Sequence, residues 1–184
     1  RRLDPDRLAA ARKEFADLEK QGVVRRSKSH WASPLHLVKK PDGTWRPCGD
    51  FRRLNLQTKP DRYTCPNMAD LTARLAGCTV FSKLDLRKGY HQVPVRPQDV
   101  PKTAVVTPFG LYEFLRMPFG LHNAGQTFQR LMDEVLAGLP FVFCYLDDVL
   151  VASPTHQEHE QHLREVLALF QQHGLVLNGE KCVL

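Results

Sequence analysis

The sequence predicts an α+β fold, on three observations. Apolar residues recur at helical spacing over 4–21, 123–137 and 156–173. Between these stretches lie short runs of β-branched and aromatic residues that turn at Pro, Gly or Asp and read as hairpins. The composition, 42% apolar and 25% charged over 184 residues, is that of an ordinary soluble domain with a real core.

Each element has a local reason. Asp4 suits an N-cap and Pro5 the first helical position; Leu8, Ala11, Phe15 and Leu18 share a face, and Gly22 stops the helix. Residues 35–49 read as a hairpin turning at Pro41-Asp42-Gly43. Lys39, Lys40, Arg46, Arg52 and Arg53 fall on or just after it, a pattern suited to phosphates and equally to a solvated tip. A short helix is expected over 67–76. A strand over 80–86 ends at Asp85, and 91–95 reads as a second short strand. Residues 103–107 and 112–116 pair around Pro108-Phe109-Gly110. The helix over 123–137 turns Phe128, Leu131, Met132 and Val135 inward. The helix over 156–173 buries Leu163, Val166, Leu167 and Phe170. His156, His159 and His162 lie at three-residue spacing among Glu158 and Glu160 and read as a solvated face rather than a metal site. The chain closes with Leu175-Val176-Leu177, a turn at Asn178-Gly179, and Cys182-Val183-Leu184.

Composition narrows the function classes. No apolar run is long enough to span a bilayer, and no signal peptide opens the chain. The missing initiator Met reads as a segment of something longer. The five cysteines (Cys48, Cys65, Cys78, Cys144, Cys182) are odd in number and scattered. That argues against a disulfide framework or a Cys-type zinc site and fits a reducing compartment. The net charge of +6 is uneven. Residues 1–59 hold 15 Lys and Arg against 7 Asp and Glu, whereas residues 60–184 hold 11 against 13. A basic lobe followed by clustered carboxylates suits a polyanion on one side and metals on the other.

The clustered carboxylates are Asp147 and Asp148, between Phe141-Val142-Phe143-Cys144-Tyr145-Leu146 and Val149-Leu150-Val151. Two buried strands joined at an acidic pair read as a tight hairpin with both aspartates at its tip. Like charges so close disfavour each other's ionisation unless a cation intervenes, and hard oxygens suit Mg²⁺. An acidic turn facing solvent fits the same residues.

Taken in order, these blocks resemble the fingers and palm of a reverse transcriptase of gypsy-type LTR retrotransposons and related retroviral elements. The resemblance rests on Trp31-Ala32-Ser33-Pro34, Leu37 to Lys40, Asp42 to Arg46 and Asp50 to Asn55. Phe81 to Leu86 with Gly89 to Gln92 follow, then Thr107 to Gly110 and Met117 to Leu121. Thr127 to Met132 and Tyr145-Leu146-Asp147-Asp148 complete it. It covers nearly the whole chain. It implies a right-hand polymerase fold, with a palm of antiparallel sheet backed by helices. Residues 1–79 would be mainly fingers and 80–184 mainly palm, with 92–118 possible additional fingers. Thumb, connection and RNase H regions would be missing.

The resemblance implies an RNA-directed DNA polymerase that adds deoxynucleotides to a primer 3′-hydroxyl using two Mg²⁺ or Mn²⁺ ions. Asp85, Asp147 and Asp148 would be catalytic and would hold the metals with the Leu86 carbonyl. Lys39, Lys40 and Arg46 would clasp the triphosphate. Tyr90 would be the steric gate against a ribose 2′-hydroxyl, and Phe119 would lie beside the incoming nucleotide. Asn55, Gly125 and Gln126 are the template-side candidates. Gly125 and Gly179 depart from the family, which has Pro near these positions, and Gly loosens the backbone there. Implied partners are an RNA or DNA template with primer, deoxynucleoside triphosphates and the thumb, RNase H and integrase of a Pol polyprotein, with no membrane. An intracellular location follows, in a virus-like particle or the nucleus. A remnant that binds nucleic acid without polymerising is the alternative, and a purely structural module a third reading. The 184 residues alone would be weak or inactive.

Overall fold

The computed structural model describes residues 3–64, 66–67, 72 and 75–184. The helix expected over 67–76 falls mostly outside them. In chain order the described elements are α1 (Pro5–Lys20), β1 (Val24–Arg26), β2 (Ser33–Lys39), β3 (Trp45–Gly49), α2 (Arg52–Gln57), β4 (Val80–Asp85), β5 (Val105–Thr107), β6 (Gly110–Phe114), α3 (Ala124–Val135), β7 (Val142–Tyr145), β8 (Asp148–Ser153) and α4 (His156–Gln172). Short 3₁₀ turns cover Gly89–Gln92 and Val100–Thr103. No described helix is long and apolar enough to cross a membrane. The elements fall into two compact units, Arg1–Pro60 with Val93–Ala124, and Asp61–Gln92 with Gly125–Leu184.

In the first unit, Asp4 caps α1 by accepting the Arg7 N–H at 2.9 Å. Ala11, Phe15 and Leu18 are buried as the helical spacing requires, while Leu8 is half-buried. The helix packs beside a five-stranded sheet of order β1-β6-β5-β2-β3, antiparallel except for the parallel β2–β5 pair. Its core is Phe15, Leu18, Val23, Val24, Phe51, Val105, Tyr112 and Phe114. Phe15 meets Tyr112 at 5.0 Å and Phe114 at 6.5 Å between ring centroids, in tilted and edge geometry. Glu113 is buried on this sheet and is satisfied by Arg25 Nε at 2.7 Å and the Ser27 hydroxyl at 2.6 Å.

In the second unit, β4-β8-β7 form an antiparallel three-stranded sheet. Ser82, Leu84, Val149, Val151 and Ser153 are buried, alternating with exposed Phe81, Lys83 and Asp148. Phe128, Met132 and Val135 of α3, and Val166 and Phe170 of α4, are buried too. Leu131 and Leu163 are half-buried, and Leu167 is 42% exposed, so the apolar stripe of α4 is narrower than expected.

Three expectations are corrected. Residues 91–95 are not a strand: His91 and Gln92 finish a 3₁₀ turn, and only Pro94 makes an isolated bridge, to Arg116. The bridge is carried by its neighbours: Val93 O accepts from Met117 N at 2.8 Å and Val95 N donates to Leu115 O at 2.9 Å. The tip of the acidic hairpin is Leu146-Asp147, because Asp148 already belongs to β8 and pairs with Tyr145. The histidine face of α4 is not fully solvated. His159 is buried at 6% exposure and bonds the hydroxyls of Ser82 and Ser153, each at 2.7 Å, through its two ring nitrogens. His162 reaches Ser153 at 2.8 Å and stacks on Phe141, with ring centroids 3.7 Å apart. Hydroxyls on the buried sheet face need partners, and an imidazole with two nitrogens can serve both strands. Burial first, then His162 and His156, hold the His159 pKa below its ordinary value.

Gly49 offers a test of the first unit's packing. A Cβ there would lie 2.6 Å from Phe51 Cζ and 2.8 Å from Val105 Cγ2, both in the core. Gly49→Ala is expected to destabilise the unit by about 1–3 kcal/mol, the usual cost of overpacking. The shift in urea midpoint at unchanged slope measures it.

Candidate active site

The acidic centre is built by strand register. β4 and β8 pair antiparallel with Asp85 opposite Asp148, Leu84 opposite Val149 and Lys83 opposite Leu150. Alternation points Leu84 and Val149 into the core, so Asp85 and Asp148 share the other face. Asp147 follows Leu146 in the two-residue turn. Thus a strand pair brings together carboxylates far apart in sequence, all within the second unit.

Lys83 shares their face. Its ammonium lies 2.8 Å from Asp148 Oδ1. The Lys83 pKa is raised by the hydrogen bond and charge of Asp148, and further by Asp85 and Asp147. Both partners are more than half exposed, and water screens such pairs so that they add little to stability. Asp148 can therefore exchange its ammonium partner for a harder cation at small cost. Among the described residues, no three His, Cys, Asp or Glu side chains already form a metal cluster. The available donors are nonetheless carboxylate oxygens, which suit Mg²⁺ or Mn²⁺.

The backbone of Asp85 is held by the end of the chain. Its carbonyl accepts from Asn178 N at 2.8 Å, and its N–H donates to Cys182 Sγ at 3.4 Å. Lys83 and Val183 exchange two backbone bonds of 2.7 and 2.9 Å. Arg87 N donates to Val176 O at 2.9 Å, so the bridge from Leu86 to Leu177 is carried by bonds on either side of Leu86. Gln92 adds three bonds, to the carbonyls of Arg87 and Val176 and from Val176 N.

The turn is tightly packed. Leu146 has φ +55°, a left-handed value that costs a non-glycine residue about 1–3 kcal/mol. The Leu146 N–H donates to Gln129 Oε1 at 2.8 Å, and the Cys144 thiol reaches the Leu146 carbonyl at 3.2 Å. Burial, followed by Asp133, Asp147 and Asp148, pushes the Cys144 pKa up to about 12, so this thiol remains a donor. A Cβ on Gly89 would lie 3.1 Å from Phe128 Cζ and 3.6 Å from Asp147 Cβ. Next to it, Tyr90 meets Phe128 edge-on at 5.4 Å. A Cβ on Gly125 would lie 3.3 Å from Leu146 Cδ2 and 3.8 Å from the Tyr90 hydroxyl. Gly125 thus packs beneath the turn, while Gln126 is half-buried one residue further along α3.

The other candidates lie in the first unit. Register sets Arg46 opposite Val38 and Lys39 opposite Trp45, so Arg46 and Lys39 point to opposite faces of the hairpin. Lys40 N donates to Thr44 O at 2.8 Å, and Asp42 accepts both the N–H and hydroxyl of Thr44. Arg52 is engaged by Asp50 at 2.6 Å, and that hydrogen bond lowers the Asp50 pKa to about 2. Asn55 donates to Gly120 O at 2.8 Å and accepts from His122 N at 2.9 Å, anchoring the loop that carries half-exposed Phe119.

The motif order and this geometry agree with the comparisons to known proteins. Residues 38–184 match the family described as reverse transcriptase (RNA-dependent DNA polymerase). The chain belongs to this family. It is 37% identical over 182 residues to a Tf2-3 transposon polyprotein of Schizosaccharomyces pombe, covering 98% of the chain and 14% of that protein. It is 40% identical over 176 residues to the retrovirus-related Pol polyprotein from transposon 297 of Drosophila melanogaster, covering 92% of the chain and 17% of that protein. The chain therefore spans only about a sixth or less of these relatives. Among solved structures, the native protease-reverse transcriptase of prototype foamy virus superposes with a TM-score of 0.90 at 27% identity, over all of this chain and 25% of that one. A foamy viral protease-reverse transcriptase in complex with ds DNA gives 0.91 at 24% identity, over 100% of this chain and 32% of that one. The α+β fold of reverse transcriptase fingers and palm is thereby established.

Sequence reasoning did not single out Lys83, Gln129, Asn178 or Cys182 as parts of this centre. The polar Gln129 at an inward position of α3 was the one local signal; the others act through long-range pairing.

His91 gives the region a pH dependence. Burial, then nearby Lys88, lowers its pKa from 6.5 to about 4. The folded state therefore resists a proton that the unfolded chain accepts. Stability is complete above about pH 6.5 and falls as pH drops toward 4, by up to about 3 kcal/mol. His91→Gln is expected to flatten this part of the profile, read as denaturation midpoints between pH 7.5 and 4.5.

Proposed function

We propose that the chain is the fingers-and-palm portion of an RNA-directed DNA polymerase, the first unit forming fingers and the second palm. The observation that carries this reading is the register that sets Asp85 against Asp148, with Asp147 on the adjoining turn. Membership in the reverse transcriptase family supports it. Two divalent cations, when bound, would activate the primer 3′-hydroxyl and neutralise charge growing on the α-phosphate.

This chain's residues supply the rest. Asp85, Asp147 and Asp148 furnish hard oxygens, with the Leu86 carbonyl as a further ligand. Tyr90, braced edge-on by Phe128, stands beneath the sugar and excludes a 2′-hydroxyl sterically. Arg46 and Lys40 bind the β- and γ-phosphates as charge-assisted donors. Lys39, on the opposite face of the hairpin, contributes charge without direct contact. Phe119 packs against the incoming nucleotide, and Asn55, Gly125 and Gln126 lie on the template side. The template is RNA or DNA paired to a primer; foamy viral relatives have been captured with ds DNA and with an RNA/DNA hybrid. The working protein is a longer intracellular Pol-type polypeptide that includes thumb, RNase H and integrase.

Asp147→Asn in that longer protein is expected to lower primer extension by at least about a hundredfold, a loss of several kcal/mol of transition-state stabilisation. Extension at the parental rate would refute the catalytic assignment. Tyr90→Ala should lower discrimination against ribonucleotides by at least about tenfold, measured as the ratio of kcat/KM values. An unchanged ratio would remove Tyr90 from the gate. Residues 1–184 alone should extend poorly, and processive synthesis by them would overturn that expectation.

A further inference from the structure

We propose that Gln129 is a positioning residue that holds the Leu146-Asp147 turn in its working conformation. The inference rests on the polymerase reading only for its kinetic consequences.

Gln129 is 0% exposed, at an α3 position otherwise suited to an apolar side chain. Its amide is fully engaged. Oε1 accepts the Leu146 N–H at 2.8 Å, and Nε2 donates to the Cys144 carbonyl at 3.0 Å and to Asp133 Oδ1 at 2.9 Å. The side chain therefore bonds the inner polar groups of the turn on both sides of Tyr145. An apolar residue here would leave a buried donor and a buried acceptor without partners. The amide is itself oriented from behind. Asp133 accepts the Tyr63 hydroxyl at 2.6 Å, and Arg130 stacks on the Tyr63 ring at 4.6 Å while pairing with Asp61 at 2.7 Å.

The object of this bracing is a strained residue. Leu146 occupies left-handed space without being glycine, and Asp147 follows it directly. A two-residue hairpin usually meets that demand with Gly or Asn. Here the demand is met by a side chain from a neighbouring helix. If the tether goes, Leu146 can relax to negative φ, and the direction of the Asp147 carboxylate changes with it. The core of the sheet, held by Leu84, Val149 and Val151, does not depend on this bond.

The test compares Gln129→Met, close in volume but without the amide, with the parental chain. Amide hydrogen exchange of the 184-residue chain should show Leu146 exchanging at least about tenfold faster in the variant, with Val149 and Val151 within about twofold. In the longer polymerase, kcat should fall at least about tenfold while KM for deoxynucleotide changes less than about threefold. The Mg²⁺ concentration for half-maximal rate should rise. A second variant guards against a folding defect: replacing Leu146 by its α-hydroxy acid analogue removes the N–H while keeping both the Leu146 and Gln129 side chains, and should reproduce the kcat loss. Unchanged Leu146 exchange, or a loss confined to KM, overturns the proposal. If the parental protein extends no primer, the polymerase reading fails, and the exchange comparison alone still decides whether Gln129 holds the turn.

Discussion

The acidic centre depends on the register of one antiparallel pair, β4 with β8. A slip of one residue would exchange the two faces of β4. Asp85 would then face the core and Leu84 the solvent. The cost of burying a carboxylate and exposing a leucine keeps the register in place, so the packing of the sheet also aims the carboxylates. The bonds from Ser82 and Ser153 to His159 reinforce this choice, since both hydroxyls lie on the buried face and share one imidazole. The residues that stabilise the second unit are thus interleaved with the carboxylates on its other face.

Electrostatics follows from that interleaving. Three aspartates crowd one end of a small sheet, and Lys83 sits two residues before Asp85 on the same face. Its ammonium offsets repulsion without being buried, so the pair is weak. A strong buried pair would have fixed Asp148 permanently; a weak exposed one leaves the carboxylate available. The opposite solution appears at Glu113 in the first unit, which is buried, tied by Arg25 and Ser27, and structural.

Much of this was legible in the sequence, for identifiable reasons. α1 was readable because Asp4, Pro5 and Gly22 mark its ends and Ala11, Phe15 and Leu18 its face. The acidic hairpin was readable because two apolar runs leave little room for a loop between them. What could not be read were consequences of long-range geometry. Nothing local says that His159 would meet two serines, or that Asp148 would be taken into β8 while Leu146 entered the turn. The strand assigned to 91–95 failed because His91 and Gln92 are taken into a 3₁₀ turn, which leaves only the bonds of Val95 N and Val93 O on either side of Pro94. The opposite facing of Lys39 and Arg46 likewise needs the register of β2 with β3, not the sequence of either.

The pairing of residues 176–183 with β4 has a temporal consequence. A ribosome delivers Asp85 long before Asn178, Cys182 and Val183, which bond its backbone and that of Lys83. Until those residues emerge, the outer edge of β4 presents unpaired N–H and C=O groups to any passing strand. The backbone around Asp85 is therefore secured only well after that carboxylate is made.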